Sequence, residues 1–248
     1  MSNKKKKNSN YQTEKRAAAS AAAAKKKKKL SKEAIVGIVC VAIIMITIAL
    51  SITFCSLNNT KSKKYVKMTV EGHGDIILEL DAKTAPTTVA NFIKLVNDGF
   101  YDGLTFHRII ENFMIQGGDP KGNGTGGQLD ENGKEINIKG EFSNNGHQNN
   151  ISHKRGVISM ARSGSPYNPS AYYNTASSQF FICNADSPQL DGDYAAFGWV
   201  IAGMDVVDSI TEEGIKYTSD GVISDKSKQP VITSIVEISK KEAMKYVK

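Results

Sequence analysis

The chain has 248 residues, with 32 Lys and Arg against 25 Asp and Glu and a net charge of +7. Its content of 40% apolar residues excludes a fully disordered chain, and three Cys are too few for a disulfide framework of this length. The basicity lies at one end: residues 1–33 hold 12 Lys and Arg and two Glu, a net +10 that leaves −3 on the other 215 residues.

The first predicted elements are this basic tail, 1–33, and 24 uncharged residues at 34–57. A helix of that length extends about 36 Å and would cross a ~30 Å hydrocarbon core. We interpret it as an uncleaved transmembrane helix, because it is longer than a signal-peptide h-region and no small-residue cleavage site follows. A buried globular helix is the alternative. The excess of basic residues before it predicts a cytoplasmic N-terminus and an extracytoplasmic C-terminal domain in a single-pass membrane protein.

The tail itself is interpreted as a solvated topology signal that contacts anionic lipid, with nucleic-acid binding as the less favoured alternative. A short polar linker, 58–64, then leads to one predicted domain, 65–248. Apolar and polar residues alternate at 65–71 and 75–81 on either side of Gly-His-Gly, which predicts a β-hairpin.

The next element is an amphipathic helix, because apolar residues recur at helical spacing from Val89 to Val96. Thr84 is its predicted N-cap, Pro86 lies in its first turn and Gly99 ends it. A second, shorter helix is predicted at 204–211. Further strands are predicted at 105–110, 114–116, 156–161, 178–184, 196–201 and 231–239. Strands dominate without βαβ alternation, so the sequence predicts an all-β fold, a closed or nearly closed antiparallel barrel.

Several common site motifs find little support. The stretch 122–127 reads G-x-G-x-x-G but is followed by turn residues rather than a helix, which favours a loop over a nucleotide site. The four His show no metal-ligand spacing, so no metal site is predicted. Cys183 lies in an apolar run without a basic neighbour and is interpreted as a core residue.

Arg108 is unusual because it interrupts an apolar strand, where an Arg is rarely buried without a partner. Gln116 lies eight residues further on and shares its face if the two strands pair in even register. Its side-chain amide would then hold the guanidinium of Arg108 in one plane and one direction. A buried Arg–Gln hydrogen bond without a function is an equally good interpretation of the pattern alone.

A second Gln stands beside aromatic residues in the strand at 178–184. Alternation places Gln179 and Phe181 on one face and Phe180 and Ile182 on the other. One pair faces the core, so the other exposes an aromatic ring, which is typical of a pocket lining.

Four stretches carry a resemblance to a known family: 106–110 (FHRII), 113–119 (FMIQGGD), 156–161 (GVISMA) and 178–183 (SQFFIC). Together they closely resemble the cyclophilins, which are peptidyl-prolyl cis-trans isomerases, and the likeness extends over about 68–239. The family fold is an eight-stranded antiparallel barrel closed by two helices. With the predicted membrane segment, the chain resembles a membrane-anchored, bacterial-like member.

The resemblance implies roles for individual residues. Arg108 would be catalytic, with Phe113 and Gln116 in the catalytic set. The proline pocket and groove would be formed by Phe113, Met114, Phe181, Leu190, His107, Gln116, Ala161 and Gln179, with the Arg162 backbone holding the peptide. Tyr194 and Arg162 depart from the His and Asn that are frequent there, and Gln189 stands where Trp is common.

The implied reaction is acceleration of X–Pro isomerisation in proteins that fold outside the membrane. Arg108 would donate to the prolyl nitrogen and so stabilise the twisted amide. No cofactor, metal or covalent step is expected, and the expected partners are proline-containing polypeptides bound by a monomer. A proline-peptide binding module or chaperone with little turnover is the alternative.

Overall fold

The computed structural model describes residues 31, 37–38, 40–47, 62–165, 167–218 and 220–247. The chain divides into two compact units, 1–57 and 58–248. All strands of the described residues belong to the second unit, which therefore contains the predicted barrel.

Across the described residues, eight strands form one antiparallel sheet. They are β1 Lys63–Val70, β2 Gly74–Asp81, β3 Phe106–Ile110, β4 Met114–Gly117, β5 Val157–Met160, β6 Phe180–Cys183, β7 Ala196–Ala202 and β8 Ile232–Ile238. Their order is β3-β4-β6-β5-β7-β2-β1-β8. The edge strands β3 and β8 meet through a single bridge between Thr105 and Val231, so the sheet curls into a nearly closed barrel, as the sequence predicted.

Aromatic side chains fill one region of the interior. The ring of Phe92 lies 5.1 Å from Tyr101, 5.7 Å from Phe180 and 5.2 Å from Phe197, measured between centroids. Each of these side chains is fully buried. This packing directs Phe180 of β6 inward and thereby fixes the opposite direction for its neighbour Phe181.

Three α-helices pack on the sheet in this part of the chain: α1 Pro86–Asn97, α2 Met204–Gly214 and α3 Lys240–Ala243. Helices α1 and α2 confirm the two predicted helices. Helix α1 packs on β2 and β8, whereas α2 packs on β2, β3 and β4. The third was not predicted, because four mainly polar residues carry no helical period. It nevertheless buries Ala243 against Tyr65 and Ile77.

The predicted N-cap of α1 is wrong. The residue at the cap position is Ala85, and no side chain caps the helix from there. The hydroxyl of Thr84 instead donates to Asp81 Oδ2 at 3.1 Å, within the turn that precedes the helix. Thr84 therefore stabilises the turn rather than the helix end.

The capping group of α1 comes from a distant part of the chain. The carboxylate of Glu141, whose side chain is buried, accepts hydrogen bonds from the backbone N–H groups of Thr87 at 3.0 Å and Thr88 at 2.8 Å. A carboxylate satisfies free N–H groups and opposes the positive end of the helix dipole. Glu141 thus ties the loop before β5 to the start of α1.

The first strand begins earlier than predicted. Lys63 and Lys64, which the sequence analysis assigned to a linker, are the first residues of β1. Lys63 pairs across the hairpin with Asp81, and its ammonium lies 3.2 Å from the carboxylates of both Asp81 and Glu79. Opposite charges facing each other across two strands extend the hairpin. Residues 58–61 of the predicted linker lie outside the described residues.

Most of the N-terminal unit also lies outside the described residues, including nearly all of the predicted tail. Of the transmembrane helix predicted at 34–57, residues 37–38 and 40–47 are described, and they are helical and exposed. Within the described part of the chain, no helix reaches the length and apolarity needed to cross a membrane.

Candidate active site

The site begins with a cross-strand pair on β3 and β4. Arg108 and Gln116 are directly opposite in the register, and Arg108 Nη1 donates to Gln116 Oε1 at 3.2 Å. A register shift between Phe106 and Arg108 precedes the pair. The predicted Arg–Gln contact is confirmed, and it orients a half-buried guanidinium at the surface of the barrel.

The hydrogen bonding continues from Gln116 to Gln179, the residue that directly precedes β6. Gln116 Nε2 donates to Gln179 Oε1 at 2.9 Å, and Gln179 Nε2 donates to the carbonyls of Gly126 at 2.7 Å and Gly124 at 3.2 Å. We call Arg108, Gln116 and Gln179 the relay. Because each side-chain amide both donates and accepts, the relay fixes the amide orientations in series.

The glycine-rich stretch at 122–127 thus supplies carbonyl acceptors for the relay. Its turn is held by Asp119, whose carboxylate accepts from the backbone N–H groups of Lys121, Asn123 and Gly124 at 2.7, 2.9 and 2.6 Å. Burial would raise the pKa of Asp119, but these three hydrogen bonds outweigh it and the pKa is lowered. A side chain at Gly126 would collide with the Asp119 carboxylate, so the turn requires glycine there.

A small pocket opens beside Arg108. Its volume is about 120 Å³. It is lined by Arg108, Phe113, Met114, Gln116, Ala161, Arg162, Phe181, Leu190 and Tyr194. The structure therefore brings together nine of the sequence-predicted site residues around one cavity, most of them apolar. We call it the apolar pocket.

Strand alternation explains the apolar wall. Phe180 and Ile182 of β6 belong to the barrel core, whereas Phe181 packs with Met114 and Leu190 in a separate apolar cluster. Phe181 therefore lines the pocket, as expected of the ring on the face opposite the core. Cys183 belongs to the same cluster and is fully buried, and burial raises the pKa of its thiol to about 12. It is a packing residue, as predicted.

The side chain that supports Phe181 from behind was not predicted from the sequence. The buried ring of His153 stacks on Phe181, with centroids 6.0 Å apart and an interplanar angle of 19°. Its Nδ1 lies 2.8 Å from Asp191 Oδ1 and its Nε2 lies 3.0 Å from Ser159 Oγ. Burial lowers the pKa of His153, against the opposing effect of Asp191. The Ser–His–Asp order resembles a hydrolase triad, but Ser159 is fully buried and inaccessible to a substrate.

A second cavity of about 150 Å³ adjoins the apolar pocket. The two share Gln116, Ala161 and Arg162 as a common boundary. We call it the polar pocket. Its remaining lining residues are Gly124, Thr125, Gly126, Glu135, Ser163, Thr175, Ser177 and Gln179. The site therefore consists of two adjoining cavities, one with mostly apolar and one with mostly polar lining residues.

His107 is the predicted site residue that lies outside both cavities. Its side chain is 1% exposed, and neither ring nitrogen has a hydrogen-bond partner among the described residues. The register shift between Phe106 and Arg108 interrupts the alternation of side chains at His107, so the strand pattern alone does not fix the direction of its ring. Burial lowers the pKa of His107, with Arg108 adding to the effect and Asp119 opposing it. The buried ring lines neither cavity, and a role of His107 in the groove stays a prediction.

The guanidinium of Arg108 is the principal charge beside the apolar pocket. Burial lowers its pKa, and Tyr194 and Asp220 oppose that change. Arg nevertheless remains protonated in proteins, so the pocket carries a permanent cation. Among the described residues, no group of His, Cys, Asp or Glu is arranged to hold a metal ion.

A curled eight-stranded antiparallel barrel with an oriented guanidinium beside a small, partly apolar pocket is the arrangement that the resemblance to the cyclophilins implied. Comparison with known proteins specifies the class. Residues 65–238 match the family model of the cyclophilin type peptidyl-prolyl cis-trans isomerases. The chain belongs to this family, and it is a peptidyl-prolyl cis-trans isomerase.

Similar proteins come from several lineages. A peptidyl-prolyl cis-trans isomerase of Helicobacter pylori is 43% identical over 144 residues, which cover 57% of this chain and 77% of the relative. Peptidyl-prolyl cis-trans isomerase B of Bacillus subtilis is 43% identical over 136 residues, 55% of this chain and 82% of the relative. A crystal structure of a Cryptosporidium parvum cyclophilin type isomerase matches with a TM-score of 0.59 and 31% identity, covering 71% and 98% of the two chains.

Proposed function

We propose that Arg108 accelerates the rotation of X–Pro bonds by donating a hydrogen bond to the prolyl nitrogen. Rotation must overcome a barrier of about 18–20 kcal/mol that arises from amide resonance. In the twisted state the nitrogen lone pair no longer joins that resonance and accepts a hydrogen bond. A donor aimed at it therefore binds the transition state better than either planar isomer.

The observation that carries this proposal is the fixed position of the guanidinium. Gln116 Oε1 and Met114 Sδ both contact Nη1, at 3.2 and 4.0 Å, and no other hydrogen bond of this group is formed within the described part of the chain. The remaining N–H donors are available to a substrate. Preorganised donors of this kind need no rearrangement when the transition state forms.

The other residues of the apolar pocket hold the substrate. Phe113, Met114, Phe181 and Leu190 provide apolar surface for the proline ring, while Ala161, Arg162 and Tyr194 border it. The ring stays fixed while the carbonyl side of the bond turns. We assign catalysis to Arg108, assisted by Phe113 and Gln116, and peptide binding to the rest.

The test is isomerisation of a neutral X–Pro peptide measured by NMR exchange, which needs no coupling protease. Loss of one transition-state donor typically costs about 10²–10³ in rate, so we expect that loss in kcat/KM for Arg108→Ala. Arg155→Ala removes a surface Arg paired with Asp208 and serves as the matched control. Equal rates for wild type and Arg108→Ala would contradict the assignment, and peptide binding without any exchange would favour the binding-module alternative.

We also propose that residues 34–57 anchor a bacterial-like enzyme in the membrane with its barrel on the extracytoplasmic side, where it assists folding proteins. The described apolar side chains of this segment are exposed, among them Ile38 at 59% and Met45 at 63%. A helix that is apolar on its exposed faces is stabilised by an apolar solvent.

Membrane fractionation of cells that express the full chain tests the anchor. We expect the chain to stay with the membranes after alkaline extraction and to be released by detergent. External protease should then degrade the barrel in intact cells. Recovery in the soluble fraction contradicts the anchor, whereas protection of the barrel from protease contradicts the orientation.

A further inference from the structure

Arg162 stands at the boundary between the apolar pocket and the polar pocket. Its Nε donates to the carbonyl of Asp193 at 3.0 Å, and its Nη1 donates to the carbonyl of Ser163 at 3.0 Å. Both acceptors are neutral backbone groups. These bonds fix the plane of the guanidinium without neutralising its charge.

Three aromatic rings surround the same guanidinium. Its central carbon lies 4.6 Å from the ring centre of Tyr194, 5.3 Å from Tyr173 and 5.7 Å from Phe142. Ring faces attract a cation through their quadrupole but bring no opposite charge. Arg162 is therefore held at the boundary of the two pockets as a cation that forms no ion pair in the described part of the chain.

The charged side chains that line the apolar pocket are both positive. Its lining includes Arg108 and Arg162 but no carboxylate, and neither Arg forms an ion pair in the described part of the chain. The nearby carboxylate of Asp193 forms no ion pair with Arg162 and accepts instead from two neutral donors, Asn144 Nδ2 at 2.9 Å and the Tyr173 hydroxyl at 3.5 Å. A bound peptide thus meets two cations in the pocket lining, neither of which is held in an ion pair with another described residue.

We propose that Arg162 is a specificity-determining residue that selects peptides with a negatively charged side chain next to the proline. With the proline ring in the apolar pocket, the chain crosses the shared boundary to reach the polar pocket, so its neighbouring residue lies over Arg162. This inference rests on the proposed use of the apolar pocket for proline. Glu135 lines the polar pocket and disfavours an acid placed further along.

The test compares peptides of equal length in which the residue before or after the proline is Glu or Gln, using NMR exchange on the full-length protein. A partly exposed ion pair stabilises by up to about 1 kcal/mol, so we expect kcat/KM to favour a Glu peptide by roughly two- to fivefold. The preference should weaken as salt is added, because mobile ions screen exposed charges.

Arg162→Gln should abolish the preference, while Arg162→Lys, which retains the charge, should keep part of it. Arg155→Gln removes a positive charge that lies outside both pockets, and it should leave the preference for Glu peptides unchanged. An equal Glu-to-Gln ratio in wild type and Arg162→Gln would overturn the inference. Failure of Arg108→Ala to slow the Gln peptides would instead overturn the proposed mechanism, so the two failures are distinguishable.

Discussion

At the scale of single residues, the relay explains how an edge strand of the sheet holds an Arg in one orientation. The guanidinium bonds to Gln116, Gln116 bonds to Gln179, and Gln179 ends on backbone carbonyls of the turn held by Asp119. Each link fixes the next because a side-chain amide that donates at one end must accept at the other. The orientation of the Arg108 guanidinium therefore depends on Gln179, which lies 63 positions after Gln116 in the sequence.

We expect Gln179→Ala to lower kcat/KM by about two- to tenfold, since a single hydrogen bond contributes roughly 0.5–1.5 kcal/mol. Gln116 would keep its bond to Arg108 but lose the partner that fixes its own amide. The same NMR exchange assay applies, with Gln148→Ala as the control because Gln148 is an exposed Gln outside the relay. If both variants match the wild type, the relay has no role in aiming Arg108.

Two buried histidines make stability sensitive to mild acid. Burial lowers the pKa of both His107 and His153, so the unfolded chain takes up protons first as the pH falls below about 6.5. The free energy of unfolding should therefore decrease between pH 7 and 5, by at most about 1.4 kcal/mol per pH unit for each histidine. The lowered pKa of Asp119 acts in a separate window, below about 4, where its contribution is lost.

Urea unfolding at several pH values measures this slope, and His153→Gln should reduce it because one titrating group is removed. Gln can still hydrogen-bond to Asp191 and Ser159, so His153→Gln disturbs the folded structure less than an apolar substitution would. A slope that stays the same in His153→Gln would show that this histidine has an ordinary pKa in the folded protein.

At the scale of elements, short-range patterns in the sequence were sufficient to predict the strands and two of the helices. The hairpin of β1 and β2 and the helix α1 were predicted because alternation and helical spacing are local properties of the chain. Helix α3 was not predictable in this way, since it is too short for a period. The cap of α1 was also missed, because the acceptor is Glu141, 54 residues after Thr87.

We expect Glu141→Gln to lower the free energy of unfolding by about 1–2 kcal/mol, because it removes a buried charged acceptor from a helix N-terminus. Thr84→Ala should change it by no more than about 1 kcal/mol, since that side chain bonds within the preceding turn. Urea unfolding at pH 7 compares the two. If Thr84→Ala lowered the free energy of unfolding more than Glu141→Gln does, Thr84 would be the cap of α1, as the sequence predicted.

At the scale of the whole molecule, much of the site was predictable because its parts lie on neighbouring strands. The pairing of Arg108 with Gln116 follows from an even register over eight residues. The placement of Arg162 among three rings was not predictable, because Phe142, Tyr173 and Tyr194 come from separate loops that only the closed barrel brings together. The burial of His107 was likewise not predictable, because a register shift between Phe106 and Arg108 interrupts the alternation of the strand.

The two-unit organisation leads to a last prediction, for a fragment of residues 58–248. Every residue that lines the two pockets lies within this unit, which has its own core. We therefore expect the fragment to match the full chain in kcat/KM to within about twofold, because changes that leave a site's own residues untouched usually have small effects on it. The fragment carries −3 of charge and should not bind anionic vesicles, whereas the full chain, with +10 in residues 1–33, should bind them in a salt-sensitive manner. An inactive but folded fragment would mean that the N-terminal unit contributes to the site, and vesicle binding by the fragment would place a membrane contact on the barrel itself.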